Sequence, residues 1–440
     1  MRTITVKELD PKFKYDVAAQ PGGENIKRCF ACGVCTGGCL VSEIDEHFDP
    51  RKIIRMLLLG MRERVLSSPS IWLCLLCYNC SFHCPQDVNF SDVIGALRYM
   101  AIKEGYVHPS LLRRLVFQNL LPSPKSLDFL LSRPFSLYQR SGLQSLVRRS
   151  GVLSIFSERL RSLEYLLPPL SFRPARNQLT EVMPAKGERK QRVGFFLGCA
   201  QNLVFTTTSL ATVSILTKNS CEVVIPNDLK CCGMPCMGYG EIEQARKLAK
   251  HNIDVFSSTA VEVIVTDCAT CGSFLKWYHT LLKEDPEYAE PALAFSKKIQ
   301  DISEFLTQSI SLRQDLGEIR GKVTYHDPCH LVREQKVAHQ PRQLLNLIPG
   351  LELIEMKEAD VCCGGAGSYN LTHYETSMKI LDRKMTNIAA TDADLIATGC
   401  PGCQMQLRLG VKRKGLNARV VHPIQLLAQA YRNAEELTIR

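Results

Sequence analysis

The chain has 440 residues, of which 45% are hydrophobic, 22% are charged and 20 are cysteine, and its formal net charge is +10. A chain of this length can bury a large core and is expected to form about two to four domains. The sequence has no run of about 18 apolar residues, so we predict no membrane span. Because the start of the chain, MRTITVKELDPKFKYD, has no apolar signal-peptide core, we expect metal-binding thiols in a reducing compartment and not a disulfide framework.

Two cysteine runs near the N-terminus share the spacing C-x2-C-x2-C-x3-C. The runs consist of Cys29, Cys32, Cys35 and Cys39 in CFACGVCTGGC, and of Cys74, Cys77, Cys80 and Cys84 in CLLCYNCSFHCP. A ferredoxin that holds two cubane 4Fe-4S clusters has this spacing, and the last cysteine of each run then ligates the other cluster. Zinc fits less well, because zinc sites usually take two pairs of ligands. One departure from the pattern is Leu40, which stands where a proline would follow the first run.

Helical patterns follow both runs. In FDPRKIIRMLLLGMRERVLSSPSIW the apolar residues recur at helical intervals, with Asp49 as the expected N-cap and Pro50 in the first turn. NFSDVIGALRYMAIKEGY repeats the plan, with Ser91 as the expected cap and Gly105 as the stop. We therefore expect residues 1–107 to form a helical ferredoxin-like domain with two clusters.

Residues 108–192 form a basic linker without cysteine. Over residues 107–195, 15 Lys plus Arg stand against 5 Asp plus Glu, a net +10 that equals the charge of the whole chain. One interpretation is a set of short helices that wrap the neighbouring domains with arginines on a solvated face. The other is a docking surface for a membrane subunit or an acidic partner. We expect no nucleic-acid partner, because no recognition motif accompanies the charge.

The C-terminal half contains an internal repeat of five cysteines. In each copy a single cysteine precedes an adjacent pair by 31 or 32 residues, and a C-x2-C follows the pair after 35 or 36 residues. The first copy comprises Cys199, Cys231, Cys232, Cys268 and Cys271, and the second comprises Cys329, Cys362, Cys363, Cys400 and Cys403. Five cysteines that recur in the same order with nearly equal gaps indicate two copies of one structural unit.

Each copy reads as an α/β lobe. Short apolar runs such as VGFFLG and KVTYHD end at the cysteines, and helical stretches such as EIEQARKLAKHNIDVF lie between them. We expect mostly parallel strands whose carboxyl ends bring the cysteines into one shared cleft. The predicted domains are a first lobe over residues 193–315 and a second lobe over residues 316–440. Glycines beside the pairs would let the backbone approach an inorganic core, or would be plain turn residues.

These motifs resemble those of heterodisulfide reductase. The five-cysteine motif that ends here in CATCG or CPGCQ resembles the cysteine-rich CCG domain of its B-type chain, and CGVCTGGC and IWLCLLCYNCSFHCP resemble its C-type chain. The order found here, C-like and then B-like, resembles the fused D-type catalytic chain of heterodisulfide reductase, and related fusions occur in anaerobic glycerol-3-phosphate and glycolate dehydrogenases. The resemblance implies an α+β multi-domain fold, with a helical two-cluster domain followed by two α/β CCG lobes.

The resemblance also implies the cofactors. The N-terminal runs would hold two cubane 4Fe-4S clusters, and each five-cysteine set would hold one noncubane 4Fe-4S cluster, in which one thiolate bridges two irons. Cys221 is expected to be an ordinary buried thiol, and Cys236 either a structural thiol or a neighbour of the first set. No GxGxxG fingerprint stands out, so we predict no flavin or NAD in this chain.

Two functions remain open from the sequence alone. In the first, the protein reduces or forms a small-molecule or protein disulfide by single-electron steps between the two noncubane clusters. His330 and then His326 are the candidate proton donors, although both could equally pack or surround a cluster. In the second, the protein only relays electrons between a flavin-containing or cytochrome b-type partner and a quinone-reactive membrane subunit. By resemblance, we expect it on the cytoplasmic face of a membrane complex.

Overall fold

The structure is a computed structural model that describes residues 6–123, 126, 128, 133–156, 164 and 170–438. It contains a helical N-terminal region, a segment of short helices and two α/β lobes, each built on its own sheet. The α+β fold predicted from the sequence is therefore confirmed.

Short helices connected by cysteine-containing loops build the N-terminal region. Its α-helices are Phe13–Ala18, Val34–Gly37, Leu40–Ile44, Pro50–Leu58, Arg62–Leu66, Asn79–Phe82 and Phe90–Lys103. Asp49 caps the helix Pro50–Leu58 as predicted, because its Oδ1 accepts a hydrogen bond from the Lys52 backbone N–H at 3.0 Å. The same Oδ1 accepts from Thr36 Oγ1 at 2.6 Å and so ties the helix to the first cysteine run.

The predicted cap at Ser91 is wrong. The helix Phe90–Lys103 has Asn89 at its N-cap position, and Ser91 is buried in the first turn. There the Ser91 hydroxyl lies 3.9 Å from the Cys80 sulfur. The predicted stop is correct, because Gly105 has φ +79° two residues after the helix ends.

We predict that Asp49→Ala lowers the free energy of unfolding by about 1 kcal/mol, because the substitution removes an N-cap. Chemical denaturation of the anaerobically purified protein measures the effect. Glu46→Ala, at an exposed neighbouring position, is the matched control and is expected to change stability far less. Equal effects of the two substitutions would contradict the capping role.

The linker forms short helices, as one interpretation of its sequence predicted. Within its described residues the α-helices are Leu111–Leu115, Arg133–Arg140, Leu143–Ser150 and Val152–Phe156. A π-helical turn, Val116–Leu120, continues the first of them. In the described part of the chain, no helix combines the length and the apolar composition that crossing a bilayer requires.

Both lobes contain the same parallel sheet. The strands are β1 Val182–Met183, β2 Gln191–Phe195, β3 Cys221–Val224, β4 Val263–Thr266, β5 Ile299–Asp301, β6 Gly321–Tyr325, β7 Leu351–Leu353, β8 Leu395–Ala397 and β9 Arg419–Val421. The first sheet has the order β1-β3-β2-β4-β5 and the second the order β7-β6-β8-β9. Strand β1 is antiparallel to its neighbour β3. The other four strands of the first sheet, β3-β2-β4-β5, are parallel and are arranged like the four strands of the second sheet, β7-β6-β8-β9. The repeat seen in the sequence is therefore a repeat of topology.

Helices cover these sheets. In the first lobe they are Cys199–Leu203, Thr206–Lys218, Met234–Gly238, Ile242–Ser257, Ala269–Leu281, Ala289–Lys297 and Ile302–Glu304, and in the second they are His339–Asn346, Tyr369–Thr372, Tyr374–Ala389, Pro401–Lys414 and Pro423–Thr438. Every residue of β4 and β8 is buried, as expected for parallel strands covered on both faces.

The N-terminal region packs on both lobes through buried polar contacts. The Arg98 guanidinium donates to the carbonyl oxygens of Ile71, Cys74 and Gly238 at 2.9, 2.9 and 2.6 Å. Arg333 of the second lobe donates to the Cys77 carbonyl oxygen at 3.0 Å. These bonds hold the second cysteine run between the two lobes.

Candidate metal centre

The repeated cysteines lie at the carboxyl ends of parallel strands, as the sequence predicted. Cys268 and Cys400 are the N-cap residues of the helices that follow β4 and β8. Cys199 begins the helix after β2, and Cys329 precedes the π-helical turn His330–Glu334 after β6. Parallel strands end at one edge of their sheet, so each fold repeat gathers its cysteines at one place.

Contacts between thiols connect all ten of these cysteines into one series. In order along the contacts, the series is Cys199, Cys231, Cys232, Cys271, Cys268, Cys400, Cys403, Cys363, Cys362 and Cys329. We call the five of the first lobe the first nest and the five of the second lobe the second nest. The contact between Cys268 and Cys400 joins the two nests across the lobe boundary.

Neighbouring thiols shift one another's pKa values. Contact with the Cys231 thiol lowers the pKa of Cys232 to about 5. The pKa of Cys362 is lowered by its contact with the Cys329 thiol, and that of Cys400 by its contact with Cys268. A thiolate is the form that binds metal, so each nest contains at least one sulfur already biased toward the ligating state.

A glycine follows each adjacent cysteine pair at a place where the backbone needs one. Gly233 has φ +100° and Gly364 has φ +81°. A Cβ on Gly364 would also lie 2.8 Å from the Ser377 backbone oxygen. Only glycine adopts this left-handed conformation without strain, so these two glycines allow the turn that presents both sulfurs of the pair.

The last cysteine of the first run lies among cysteines of the second run, an arrangement compatible with the ferredoxin spacing. Cys39 of the first run lies with three cysteines of the second run around one small cavity, namely Cys74, Cys77 and Cys80. In the first run, burial together with the charges of Cys29 and Cys32 raises the pKa of Cys35 to about 11.

The loops of both runs have the same unusual backbone. Ala31 and Leu76, each two residues after the first cysteine of its run, have φ +60° and +52°. Gly33 and Tyr78, each directly after the second cysteine, have φ +92° and +58°. Positive φ at a non-glycine residue is strained and concentrates at functional sites. Two loops with matching strain indicate two equivalent cradles.

Backbone amides point at the sulfurs. The N–H groups of Ala31, Leu76 and Val88 donate to the sulfurs of Cys29, Cys74 and Cys84 at 3.4, 3.4 and 3.3 Å. In the nests, the N–H groups of Cys271 and Gly364 donate to Cys268 and Cys362 at 3.3 and 3.4 Å. Such bonds stabilise thiolates and tune the potential of iron-sulfur clusters. All twenty cysteines are free thiols, so the donor sets fit 4Fe-4S clusters.

A cavity of about 260 Å³ opens beside the second nest. All five cysteines of that nest line it, together with Cys74 of the second run: Cys329, Cys362, Cys363, Cys400 and Cys403. Most of its other walls are apolar, and they include Trp72, Leu75, Leu76, Met234, Pro235 and Ala366. We call this space the central cavity. The N-terminal region and both lobes contribute to its walls.

The first nest does not line the central cavity. Cys199 and Cys231 border a separate space of about 20 Å³, which Leu121 and Arg176 help to close. The two nests do meet, as expected, through Cys268 and Cys400, but the expectation that sulfurs of both would line one cleft is not met by the central cavity. On the side of the first lobe, Met234, Pro235 and Thr270 line the central cavity, and no cysteine of that lobe does.

The two candidate histidines occupy different places. His330 lines the central cavity, its Nδ1 lies 3.4 Å from the Cys329 sulfur, and its Nε2 is buried without a hydrogen-bond partner among the described residues. His326 does not line the cavity. Its ring is fully buried, and it groups with Cys363 and Cys403 so that their three ligand atoms lie within 4.8 Å.

The two remaining cysteines are both fully buried. Cys221 begins β3, as expected for a core thiol. Cys236 lies in the helix Met234–Gly238, and burial raises its pKa to about 12. Neither thiol takes part in the series of sulfur contacts described above.

Sequence reasoning missed two further residues of this centre. Tyr369 lines the central cavity, and its buried hydroxyl has no hydrogen-bond partner in the described part of the chain. Nothing in its sequence context signals this position. Lys384 is buried, and the sulfurs of Cys363 and Cys362 act on its charge. A comparison of the two repeats could have found it, because the first repeat has an asparagine at that place.

Comparisons with known proteins agree with this architecture. The sequence matches the cysteine-rich domain family over residues 193–276 and 323–408, and a 4Fe-4S dicluster domain over residues 28–89. Residues 108–167 match the linker region of the glycolate oxidase iron-sulfur subunit. These matches cover the cysteine-containing part of each lobe, the two N-terminal runs and most of the basic linker.

Similar proteins occur in bacteria and archaea. The B chain of the fumarate reductase (CoM/CoB) of Methanothermobacter marburgensis is 26% identical over 93% of this chain and 73% of its own length. Lactate utilization protein A of Oceanobacillus iheyensis is 31% identical over 54% of this chain and 96% of its own length. The probable glycolate oxidase iron-sulfur subunit of Bacillus subtilis is 38% identical in an alignment of 437 positions that covers 97% of each chain. The chain therefore belongs to the family of iron-sulfur oxidoreductase subunits that includes this Bacillus subtilis protein.

Proposed function

We propose that this chain is the electron-transfer subunit of a complex that oxidises a small 2-hydroxy acid such as glycolate, and that it passes the electrons to an acceptor in the central cavity. One observation carries the proposal: Cys74 of the N-terminal region and all five sulfurs of the second nest line the same cavity. The similarity to a probable glycolate oxidase iron-sulfur subunit supports the choice of substrate.

The cofactors that fit are two cubane and two noncubane 4Fe-4S clusters. Cys29, Cys32, Cys35 and Cys84 would hold one cubane, and Cys39, Cys74, Cys77 and Cys80 would hold the other. Each nest would hold one noncubane cluster through its five thiolates. Every bound cluster supplies the capacity to accept and donate one electron at a time.

The central cavity suits an apolar, ring-shaped acceptor such as a quinone. Its walls are largely apolar, and two buried donors, Tyr369 Oη and His330 Nε2, have no partner among the described residues. These donors can hydrogen-bond to the two carbonyl oxygens of a quinone. Reduction to the quinol needs two electrons and two protons, so His330 and Tyr369 are the proposed holders of protons at these oxygens.

The complex that this function requires has two further parts. A flavin-containing partner would oxidise the hydroxy acid and donate electrons to the N-terminal clusters. A quinone-reactive or cytochrome b-type membrane protein, or the quinone itself, would receive them. Relatives that are named as subunits of multi-subunit enzymes support this assignment.

Reoxidation kinetics test the proposed function. The protein is purified without oxygen, reduced with dithionite and mixed in a stopped-flow instrument with a water-soluble quinone or with a small mixed disulfide. We expect the quinone to reoxidise the clusters at a saturable rate. Saturation with the disulfide and none with the quinone would overturn the proposal in favour of disulfide chemistry.

Disulfide reduction of the heterodisulfide reductase type is the second candidate. One observation favours it: both five-cysteine sets are complete, and their sulfurs meet where Cys268 contacts Cys400. The apolar walls of the central cavity and the separation of the first nest from it favour the quinone.

We further propose that the linker attaches the protein to an anionic membrane surface. Large apolar side chains on its short helices face solvent, with Leu112 and Ile155 exposed by 72% and 81%. Basic residues dominate the same segment, and this combination binds anionic bilayers. Attachment would bring the protein close to a quinone that is dissolved in the membrane.

We predict that Leu112→Glu combined with Ile155→Glu abolishes most co-sedimentation with vesicles that contain anionic lipid, because the change removes apolar contact and adds repulsion. Leu293→Glu, on the first lobe at a position 45% exposed, is the control that should leave binding unchanged. Binding of the unaltered protein to purely zwitterionic vesicles with equal affinity would contradict the electrostatic part of the proposal.

A further inference from the structure

The two lobes differ at one equivalent position behind their nests. The helices Ile242–Ser257 and Tyr374–Ala389 both have 16 residues and both follow the cysteine pair of their lobe. Asn252 and Lys384 are each the eleventh residue of these helices. The repeat thus places a neutral amide in the first lobe where it places a lysine in the second.

Both side chains hydrogen-bond to the backbone of the segment that leads into the cysteine pair of their lobe. Asn252 Nδ2 donates to the Cys231 carbonyl oxygen at 3.2 Å, and its Oδ1 accepts from the Lys230 N–H at 3.0 Å. Lys384 Nζ donates to the carbonyl oxygens of Glu358 and Ala359, the latter at 3.2 Å. The two residues therefore both bond to the segment before the pair, but Asn252 bonds closer to the pair than Lys384 does, and only Lys384 is a cationic residue.

Lys384 is a buried cation without a carboxylate partner among the described residues. It is 1% exposed, and its two hydrogen bonds go to neutral carbonyl oxygens. The nearby acids are engaged elsewhere: Asp327 is paired with Arg342 at 2.7 Å, and Asp360 with Arg333 at 3.3 Å. An isolated buried charge is strongly unfavourable, so Lys384 needs a negative group that these side chains do not supply.

The second nest is the negative group within reach. Burial lowers the pKa of Lys384, and the sulfurs of Cys363 and Cys362 are the largest opposing influences. A cluster with five thiolate ligands carries net negative charge. The ammonium group and the occupied nest would therefore compensate each other.

We propose that Lys384 is a positioning residue which gives the second nest a fixed positive charge, and that this charge makes the cluster held there easier to reduce than the cluster of the first nest. The inference rests on the proposed cofactors. A nearby cation stabilises an added electron, and charge around a cluster is one of the protein's means of setting its potential. Electrons would then collect at the nest that lines the central cavity.

Redox titration of the anaerobically purified full-length protein, followed by electron paramagnetic resonance, tests the role of Lys384. Lys384→Met keeps the length of the side chain and removes the charge. We expect one noncubane signal to shift to lower midpoint potential and the other signals to stay in place. Lys384→Arg should restore the potential of the unaltered protein. Lys379→Met removes an exposed charge from the same helix and should shift nothing.

Iron content separates failure of this inference from failure of the cofactor assignment. About sixteen irons per chain are expected in the unaltered protein, and a much lower value would sink the cofactor proposal itself. With the iron present, an unshifted potential in Lys384→Met would overturn the role of Lys384. Loss of about four irons in Lys384→Met but not in Lys384→Arg would support a requirement for the charge. Loss of iron in both Lys384→Met and Lys384→Arg would show that the lysine acts through packing and would overturn the proposal.

Discussion

Thr372→Trp is expected to slow reoxidation of the reduced protein by a soluble quinone at least about tenfold, because an indole at this position would fill part of the acceptor space. Thr372 is an exposed residue at the end of the helix Tyr369–Thr372, and its side chain lines the central cavity. Iron content and the rate of reduction by dithionite should stay unchanged, because the substitution touches no cysteine. Stopped-flow absorbance of the clusters measures both rates.

Leu371→Trp is the matched control for Thr372→Trp. Leu371 is the adjacent residue of the same helix, is 39% exposed, and does not line the cavity. It receives the same large side chain and should leave the rate with quinone unchanged. Equal rates for the two variants would show that the acceptor does not use the central cavity.

Cys363→Ser is expected to remove about four irons per chain and to lower the rate of quinone reduction at least about tenfold. Cys363 is central to the second nest, since its sulfur contacts those of Cys362 and Cys403. A serine hydroxyl at this position is a poor substitute, because soft thiolates are the ligands that iron-sulfur clusters prefer. Iron analysis and quinone-dependent reoxidation of the same preparation measure the two effects.

Cys221→Ser controls for the loss of a buried thiol. Cys221 is as fully buried as any cysteine of the nests, but it lies in β3 outside the sulfur series. Its substitution is expected to lower stability and to leave the iron content unchanged. Retention of all iron by Cys363→Ser would contradict the assignment of Cys363 as a ligand.

Cys232→Ser tests whether reoxidation by quinone requires the first nest. It should also lose about four irons, but its nest lies outside the central cavity. A relay that ends at the second nest predicts that this variant keeps a measurable rate with quinone. Disulfide chemistry that needs both nests predicts complete loss of activity toward the disulfide.

The amino-acid sequence was enough to predict the repeated α/β lobes and to group the candidate ligand cysteines into sets. The short spacings in each run and the five repeated cysteines are local features, because residues a few positions apart on a turn or a strand end must lie close together. The cap at Asp49 is equally local and was predicted correctly, whereas Ser91 failed as a cap because its neighbour Asn89 takes that position.

How these parts meet could be seen only in the three-dimensional fold. The contact of Cys268 with Cys400 joins residues that are 132 positions apart. The spacing of cysteines within each lobe does not predict a contact between residues of different lobes. Sulfurs of the second nest and Cys74 line the central cavity, whereas the first lobe contributes residues such as Met234 and Pro235 and none of its cysteines. Whether Lys384 is paired or isolated also depends on which acids other elements bring near it, and burial makes that difference energetically large.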